Sequence, residues 1–197
     1  MNTLKAEKRS MDVKAKKLRR EGFVTGNLFG REIEGSIPLK FTKKEIEVLL
    51  KNNNKGSQVM LELDGKTYDA LIKEVDYNPL AHTVEEVDFQ ALVSNEMVHS
   101  TAEIILENEE KVISGVLQDE LKEVAYKAFP ADLVDKIKVD VTGMKIGDTL
   151  RVKDLEIAKN KNIHITTDPE AVVATVTPVH NVVPETETEA EETAEEK

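Results

Sequence analysis

Alternation between apolar and polar residues dominates this chain. In Ser36-Ile37-Pro38-Leu39-Lys40-Phe41, the residues Ile37, Leu39 and Phe41 share one face of a period-two element, which predicts a half-buried strand. Pro38 cannot donate to a ladder and predicts an edge position for that strand. Thr42-Lys43-Lys44-Glu45 then has the spacing of a capping box, and the short helix it opens carries Ile46, Leu49 and Leu50 as one stripe before the Asn52–Gly56 cluster ends it. Val59, Leu61 and Leu63 alternate up to Asp64-Gly65, a two-residue hairpin signal, and a return strand runs through about Val75 until the Asn78-Pro79 step breaks it. A further strand with Val87 and Phe89 on one face runs toward Val93.

Ser94-Asn95-Glu96 is the best boundary, because alternation restarts at Val98 and the charge turns acidic. Beyond it, Ile137, Val139 and Val141 alternate with Lys136, Lys138 and Asp140 as a half-buried strand. Gly143 and Gly147-Asp148 mark turns, and Asp168-Pro169 starts another before Val172, Ala174 and Val176 line one face. No internal repeat relates the halves. The reading is mainly β with a few short helices (α+β): a small β-barrel or sheet over residues 1–93, a β-rich unit over 94–183, and a disordered acidic tail over 184–197, which lacks the apolar surface to offset its ordering entropy.

Composition excludes several classes. Of 197 residues, 40% are hydrophobic and only 4% aromatic, which suits a modest aliphatic core. The chain has no Cys, so disulfide scaffolds, thiol nucleophiles, Cys-ligated zinc and iron–sulfur sites fall away. No apolar run is long enough to span a membrane, and Met1-Asn2-Thr3-Leu4-Lys5 lacks the core of a signal peptide, so a cytosolic-type protein with no membrane partner is expected.

Net charge is −11, which by itself argues against a polyanionic partner. The distribution reverses that inference. Residues 1–20 hold eight Lys/Arg against two acids, a net +6, while residues 184–197 hold seven Glu against one Lys, a net −6. Residues 94–183 carry ten basic and sixteen acidic groups, and residues 1–93 are close to neutral. Polyanion contact is therefore expected at the N-terminus.

Catalytic chemistry is not nominated anywhere. His82, His99, His164 and His180 are scattered singly, without metal-ligand spacing, and no nucleophile elbow, phosphate loop or dinucleotide fingerprint occurs. Glu85-Glu86 and Glu109-Glu110 are adjacent residues expected to point to opposite faces of strands as solvated surface. No enzyme, metal, cofactor or small-molecule substrate is expected. The strongest signal is Lys14, Lys16, Lys17, Arg19 and Arg20, five cations in seven residues around Leu18. Phosphates attract such a cluster, and Arg can also bridge phosphate oxygens or a guanine edge with its planar fork. The competing reading is a solvated basic face, or an arm paired with the chain's own acidic tail. Phe23 and Phe29 beside it read as core residues.

The run Lys16-Lys17-Leu18-Arg19-Arg20-Glu21-Gly22-Phe23-Val24, closing at Leu28-Phe29-Gly30, resembles the N-terminal signature of bacterial large-subunit ribosomal proteins that bind 5S rRNA, in the longer Ctc (general stress protein) subfamily. Glu86-Val87-Asp88-Phe89-Gln90 resembles that family's second N-terminal motif. Ile137 to Val141, then Met144 to Leu155, then Asp168 to Ala174 are similar to the C-terminal domain of Ctc-type members. The resemblance covers the chain to about Pro178. It implies an N-terminal barrel gripping the loop E region of 5S rRNA in the central protuberance, a β-rich C-terminal domain, neighbouring ribosomal proteins as partners, a cytoplasmic ribosomal location and no catalysis. Carried onto matching positions, it implies RNA-facing roles for Arg9, Lys16, Lys17, Arg19, Phe29, Asn78 and Asp88, with Lys14 and Arg20 as phosphate neighbours. Glu86 stands where the family commonly has His, and a carboxylate there either points away from phosphate or accepts from a base amino group. Two other classes of function remain: a stress-linked protein–protein adaptor on the same scaffold, and an enzyme.

Overall fold

The local signals build the first half of the molecule. Thr42 Oγ1 accepts from the Glu45 amide at 3.4 Å and the Glu45 carboxylate accepts from the Thr42 amide at 3.3 Å, which starts helix α2 (Lys43–Asn52). Ile46 and Leu49 from that helix are buried. The hairpin of β4 (Gln58–Leu63) and β5 (Lys66–Asn78) turns on Asp64 and Gly65, both left-handed at φ 50° and 77°, as a tight right-twisted hairpin requires. The computed structural model describes residues 3–113 and 115–178; the Glu-rich stretch 184–197 and His180 lie outside the described residues.

Four further strands complete a closed barrel: β1 (Thr3–Lys8), β2 (Phe23–Phe29), β3 (Ser36–Thr42) and β6 (Thr83–Ala91). The order is β1-β3-β2-β6-β5-β4, sealed by parallel pairing of β1 with β4. Closure leaves no edge, so Pro38 is not on an edge strand. Its carbonyl accepts from the Arg9 amide at 2.9 Å on the β1 side, where the β1–β3 ladder stops at Lys8↔Leu39. Because the nitrogen and carbonyl of a strand residue face the same neighbour, the missing donor falls where the ladder ends. Val24, Leu28, Leu39, Phe41, Leu61, Ile72, Val87 and Phe89 fill the interior, with the Phe41 and Phe89 rings tilted at 5.4 Å. Phe23 and Phe29 are not core residues. They alternate out of phase with buried Val24 and Leu28 and lie half-buried on the outer face, Phe23 under the Lys40 ammonium at 5.0 Å.

The second unit has two sheets. One has the order β10-β7-β9-β12, from β7 (Val98–Glu107), β9 (Glu123–Ala128), β10 (Lys136–Asp140) and β12 (His164–Ile165). The other has the order β11-β13-β8, from β8 (Val116–Asp119), β11 (Thr149–Arg151) and β13 (Val172–Thr177). Ala102, Val124, Tyr126, Val152, Leu155, Val173 and Ala174 form its core. The Tyr126 hydroxyl donates to the Val134 carbonyl at 2.6 Å and accepts from the Val134 amide at 2.8 Å; burial pushes its pKa up. Simple alternation along β13 breaks at Val173. The β11–β13 register shifts there, and the extra residue turns Val173 into the core beside Ala174.

A polar seam joins the units. Asn54 donates to the Glu103 carboxylate, Ser57 to Asp135 at 3.3 Å, and Lys55 pairs with Glu123 at 3.5 Å. Gly56 is the closest approach, with φ +89°, and a Cβ there would lie 1.9 Å from the Thr101 carbonyl oxygen.

Candidate nucleic-acid interface

Helix α1 (Ala15–Arg20) has only six residues, too short to hold itself together in water. Two side chains pin it. Leu18 is buried against the barrel, and Arg19 reaches across to β6. There its Nε donates to the Glu85 carbonyl at 3.1 Å, Nη1 pairs with the Glu85 carboxylate at 2.9 Å and Nη2 with Glu86 at 3.3 Å. Lys14, Lys16, Lys17 and Arg20 remain exposed around that pinned core. Lys17 makes only a loose contact of 3.8 Å with Glu21.

Glu85 and Glu86 do not point to opposite faces as solvated surface. The β5–β6 register shifts between Asp76 and Tyr77, so Glu85 is an extra residue in its strand, and the bulge turns its carboxylate to the same side as that of Glu86. Both are half-buried and both meet Arg19. Glu86 also accepts from Asn27 Nδ2 at 3.3 Å, so in this fold its carboxylate is turned to its own chain.

The other expected positions cluster around this latch. Asp88 Oδ1 accepts from the Asn27 amide at 2.9 Å and from Asn27 Nδ2 at 3.0 Å, tying β6 to β2. Asn78 donates to Glu85 at 2.7 Å, and its Oδ1 accepts from the amides of Leu80 and Ala81 at 3.1 Å, which shapes the β5–β6 turn. Arg9 is half-buried: Nη2 donates to the Val13 carbonyl at 3.2 Å, holding the loop that leads into α1, and its buried Nε has no partner among the described residues. Phe29 sits half-buried at the end of β2, opposite Ser36 and Gln90. All nine residues thus belong to the first unit. Lys14, Lys16, Lys17 and Arg20 present charge, whereas Arg9, Arg19, Asn78 and Asp88 are engaged in holding loops and strands.

Thr25 and Asn27 were missed by sequence reasoning. Thr25 Oγ1 is buried and donates to the Glu85 carbonyl at 3.3 Å, and Asn27 bridges Glu86 and Asp88. Their signal was two polar residues on the outward positions of a strand with an apolar inner face. Cross-strand neighbours Glu74↔Asp88 and Asp76↔Glu86 give this face four carboxylates beside the cations of α1. Such a two-toned surface offers cations to phosphates and carboxylate acceptors to base amino groups. Among the described residues no group of His, Asp and Glu is arranged to hold a metal ion, and no helix is long and apolar enough to cross a membrane.

A closed barrel with a cation-bearing helix latched to its polar face, joined to a second β unit, defines a two-part β protein with one strongly charged face. Comparison with known proteins gives the family. Residues 4–89 match the Ribosomal L25p family, and residues 97–180 match the C-terminal domain of ribosomal protein TL5. The chain is 31% identical over 183 residues to large ribosomal subunit protein bL25 of Bacillus velezensis, covering 90% of this chain and 89% of that one. It is 31% identical over 190 residues to the bL25 protein of Carboxydothermus hydrogenoformans (92% and 94%) and 30% identical over 196 residues to that of Caldanaerobacter subterraneus subsp. tengcongensis (98% of each). The chain belongs to the bL25 family of large-subunit ribosomal proteins, a non-enzymatic family, in the long form that carries the TL5-type C-terminal domain.

Proposed function

We propose that this chain is a structural protein of the large ribosomal subunit that binds the loop E region of 5S rRNA in the central protuberance. The observation that carries the reading is the exposed set Lys14, Lys16, Lys17 and Arg20 on a helix held to the barrel by Leu18 and Arg19. Phosphate contacts position a protein on RNA, and base-edge contacts specify it. In this reading the four exposed cations meet phosphates, Lys17 giving up its loose contact with Glu21. Arg9 and Arg19 fix the loop and helix that present them and border the same RNA. Phe29 offers a ring to the RNA at the end of β2, and Asn78 shapes the neighbouring turn. Asp88 holds Asn27 with Oδ1 and turns Oδ2 to a base amino group. Residues 1–93 form the 5S-rRNA-binding domain, and residues 94–183 form a second domain that meets neighbouring components of the subunit.

A footprint of 5S rRNA with the full chain tests this. Protection confined to loop E, lost on changing Lys14, Lys16 and Lys17 together to Ala, is the expected result. Protection elsewhere, or protection indifferent to those lysines, refutes it.

A further inference from the structure

A second surface rich in nitrogen donors, two of them lysines, lies at the seam between the two units. Its first member comes from a bulge. In the β5–β6 ladder, Ile72↔Phe89 is followed by Glu74↔Asp88, so Lys73 is an extra residue in β5, and the bulge aims it at the second unit. There its Nζ donates to the His99 carbonyl at 2.8 Å. The other members form one row across the sheet: His99 on β7 faces Lys127 on β9, which faces His164 on β12. Adjacent strands lie about 4.8 Å apart, so the three side chains form a regular line of nitrogen groups roughly 10 Å long.

Among the described residues, Lys73, Lys127, His99 and His164 make no ion pair. The next outward row, Thr101↔Ala125, is neutral. Glu103 and Glu123 follow, and both are engaged across the seam, by Asn54 and Lys55. Beside the row lies an open cleft of about 310 Å³, lined by Lys55, Lys73, His99, Ser100 and Thr101, with Glu74 its sole carboxylate. Burial, then Lys127 and Lys73, hold the His99 pKa below that of an ordinary histidine; burial, then Lys55, lower that of Lys73. On both groups the lysine neighbours act in the same direction as burial, although Lys55 is itself paired with Glu123. Three of the four residues, His99, Lys127 and His164, fall in residues 94–183, a stretch with sixteen acids against ten bases.

We propose that this row, Lys73, His99, Lys127 and His164, is a second RNA-backbone contact, in which phosphates of ribosomal RNA lie along the seam while the α1 face meets its own RNA segment. An anionic polymer with regularly spaced charges fits a straight row of nitrogen donors. Counterion release supplies its affinity without base reading, since the row places no carboxylate to accept from base amino groups. This inference stands apart from the 5S rRNA assignment: it needs only RNA, and it uses none of the α1 residues.

The test is a titration of the full chain with 5S rRNA and with an unrelated structured transcript over a series of salt concentrations, each variant checked by a melting curve. Changing Lys73 and Lys127 together to Gln should flatten the slope of log K against log salt by about 1.5 units on both RNAs, from roughly 0.7–0.9 units per lost phosphate contact. Any preference for 5S rRNA should survive. Lys127→Gln alone, which breaks no hydrogen bond of the fold, should flatten the slope by half as much, and Lys127→Arg should restore it. An unchanged slope in Lys127→Gln and in the double variant overturns the proposal, including the case in which the row serves an acidic protein surface. The α1 variant separates the two readings: if Lys14, Lys16 and Lys17 matter and the seam does not, only the seam falls; if the seam matters and they do not, only the 5S rRNA reading falls.

Discussion

Arg19 lies in the densest run of cations in the chain, yet the structure places it in a latch, and Arg19→Ala separates those two roles. The side chain is 31% exposed and its carboxylate partners Glu85 and Glu86 are 35% and 31% exposed, so the cluster is neither dry nor fully solvated. Exposed pairs contribute about 0.2–1 kcal/mol and hydrogen bonds to charged groups about 1.5–3 kcal/mol. Two ion pairs and one bond to a backbone carbonyl at this intermediate exposure give about 2 kcal/mol. Removing Arg19 also leaves Glu85 and Glu86 unpaired beside Glu74, Asp76 and Asp88, which adds repulsion of the same sign. For a unit of this size the loss lowers the melting midpoint by on the order of 10 °C. Thermal melts of wild type, Arg19→Ala, the Glu85→Gln/Glu86→Gln variant and their combination form a double-mutant cycle. A coupling of about 1 kcal/mol or more is expected, together with weaker RNA binding because α1 loosens. Wild-type melting with no coupling, accompanied by a salt slope flattened by one phosphate contact, would refute the latch and make Arg19 a direct phosphate ligand.

The remaining predictions concern the frame. Gly56→Ala places a Cβ within 1.9 Å of the Thr101 carbonyl oxygen at φ +89°, so a loss of about 2–4 kcal/mol is expected by chemical denaturation, with faster amide exchange along the seam. Asp88→Ala strands the Asn27 amide and should lower stability by about 1–3 kcal/mol, whereas Asp88→Asn keeps an acceptor and should lose less; identical melts for Asp88→Ala and wild type would remove its strand-tying role. At Asp140, donation from the Thr142 hydroxyl and amide, then from Asn108, holds the carboxyl pKa below the ordinary aspartate value. With the folded pKa depressed, that contribution is present above the unfolded pKa and fades as pH falls through the folded one; a carboxyl titration by NMR should show Thr142→Ala moving the pKa back up.

Much of the first unit was legible because its information is local. The Thr42–Glu45 capping box, the Asp64-Gly65 turn and the alternation of Ile37, Leu39 and Phe41 each lie within a few residues, and each has one low-energy backbone solution. The basic cluster was equally visible as composition. Strand β1 and helix α1 were not, since β1 offers only Leu4 and Ala6 as buried positions and α1 only Leu18, too few for a period to show.

What each cation does was decided by tertiary structure. Arg19 differs from Lys17 and Arg20 only because chain closure brings Glu85 and Glu86, more than sixty residues away, against one side of α1. Gly26 reads as a weak strand residue, yet a Cβ there would lie 2.0 Å from the Val87 carbonyl oxygen, so it is what permits β2 and β6 to close the barrel. The bulges at Lys73, Glu85 and Val173 shift single side chains to the other face, and period-two reasoning fails wherever one occurs. Sequence alone determined the strands with a clear alternation, the capped helix α2 and where positive charge concentrates at the N-terminus, because propensity and patterning act between near neighbours. Register, bulges and ion-pair partners depend on which strands meet, and that choice is set by burial of the whole core at once.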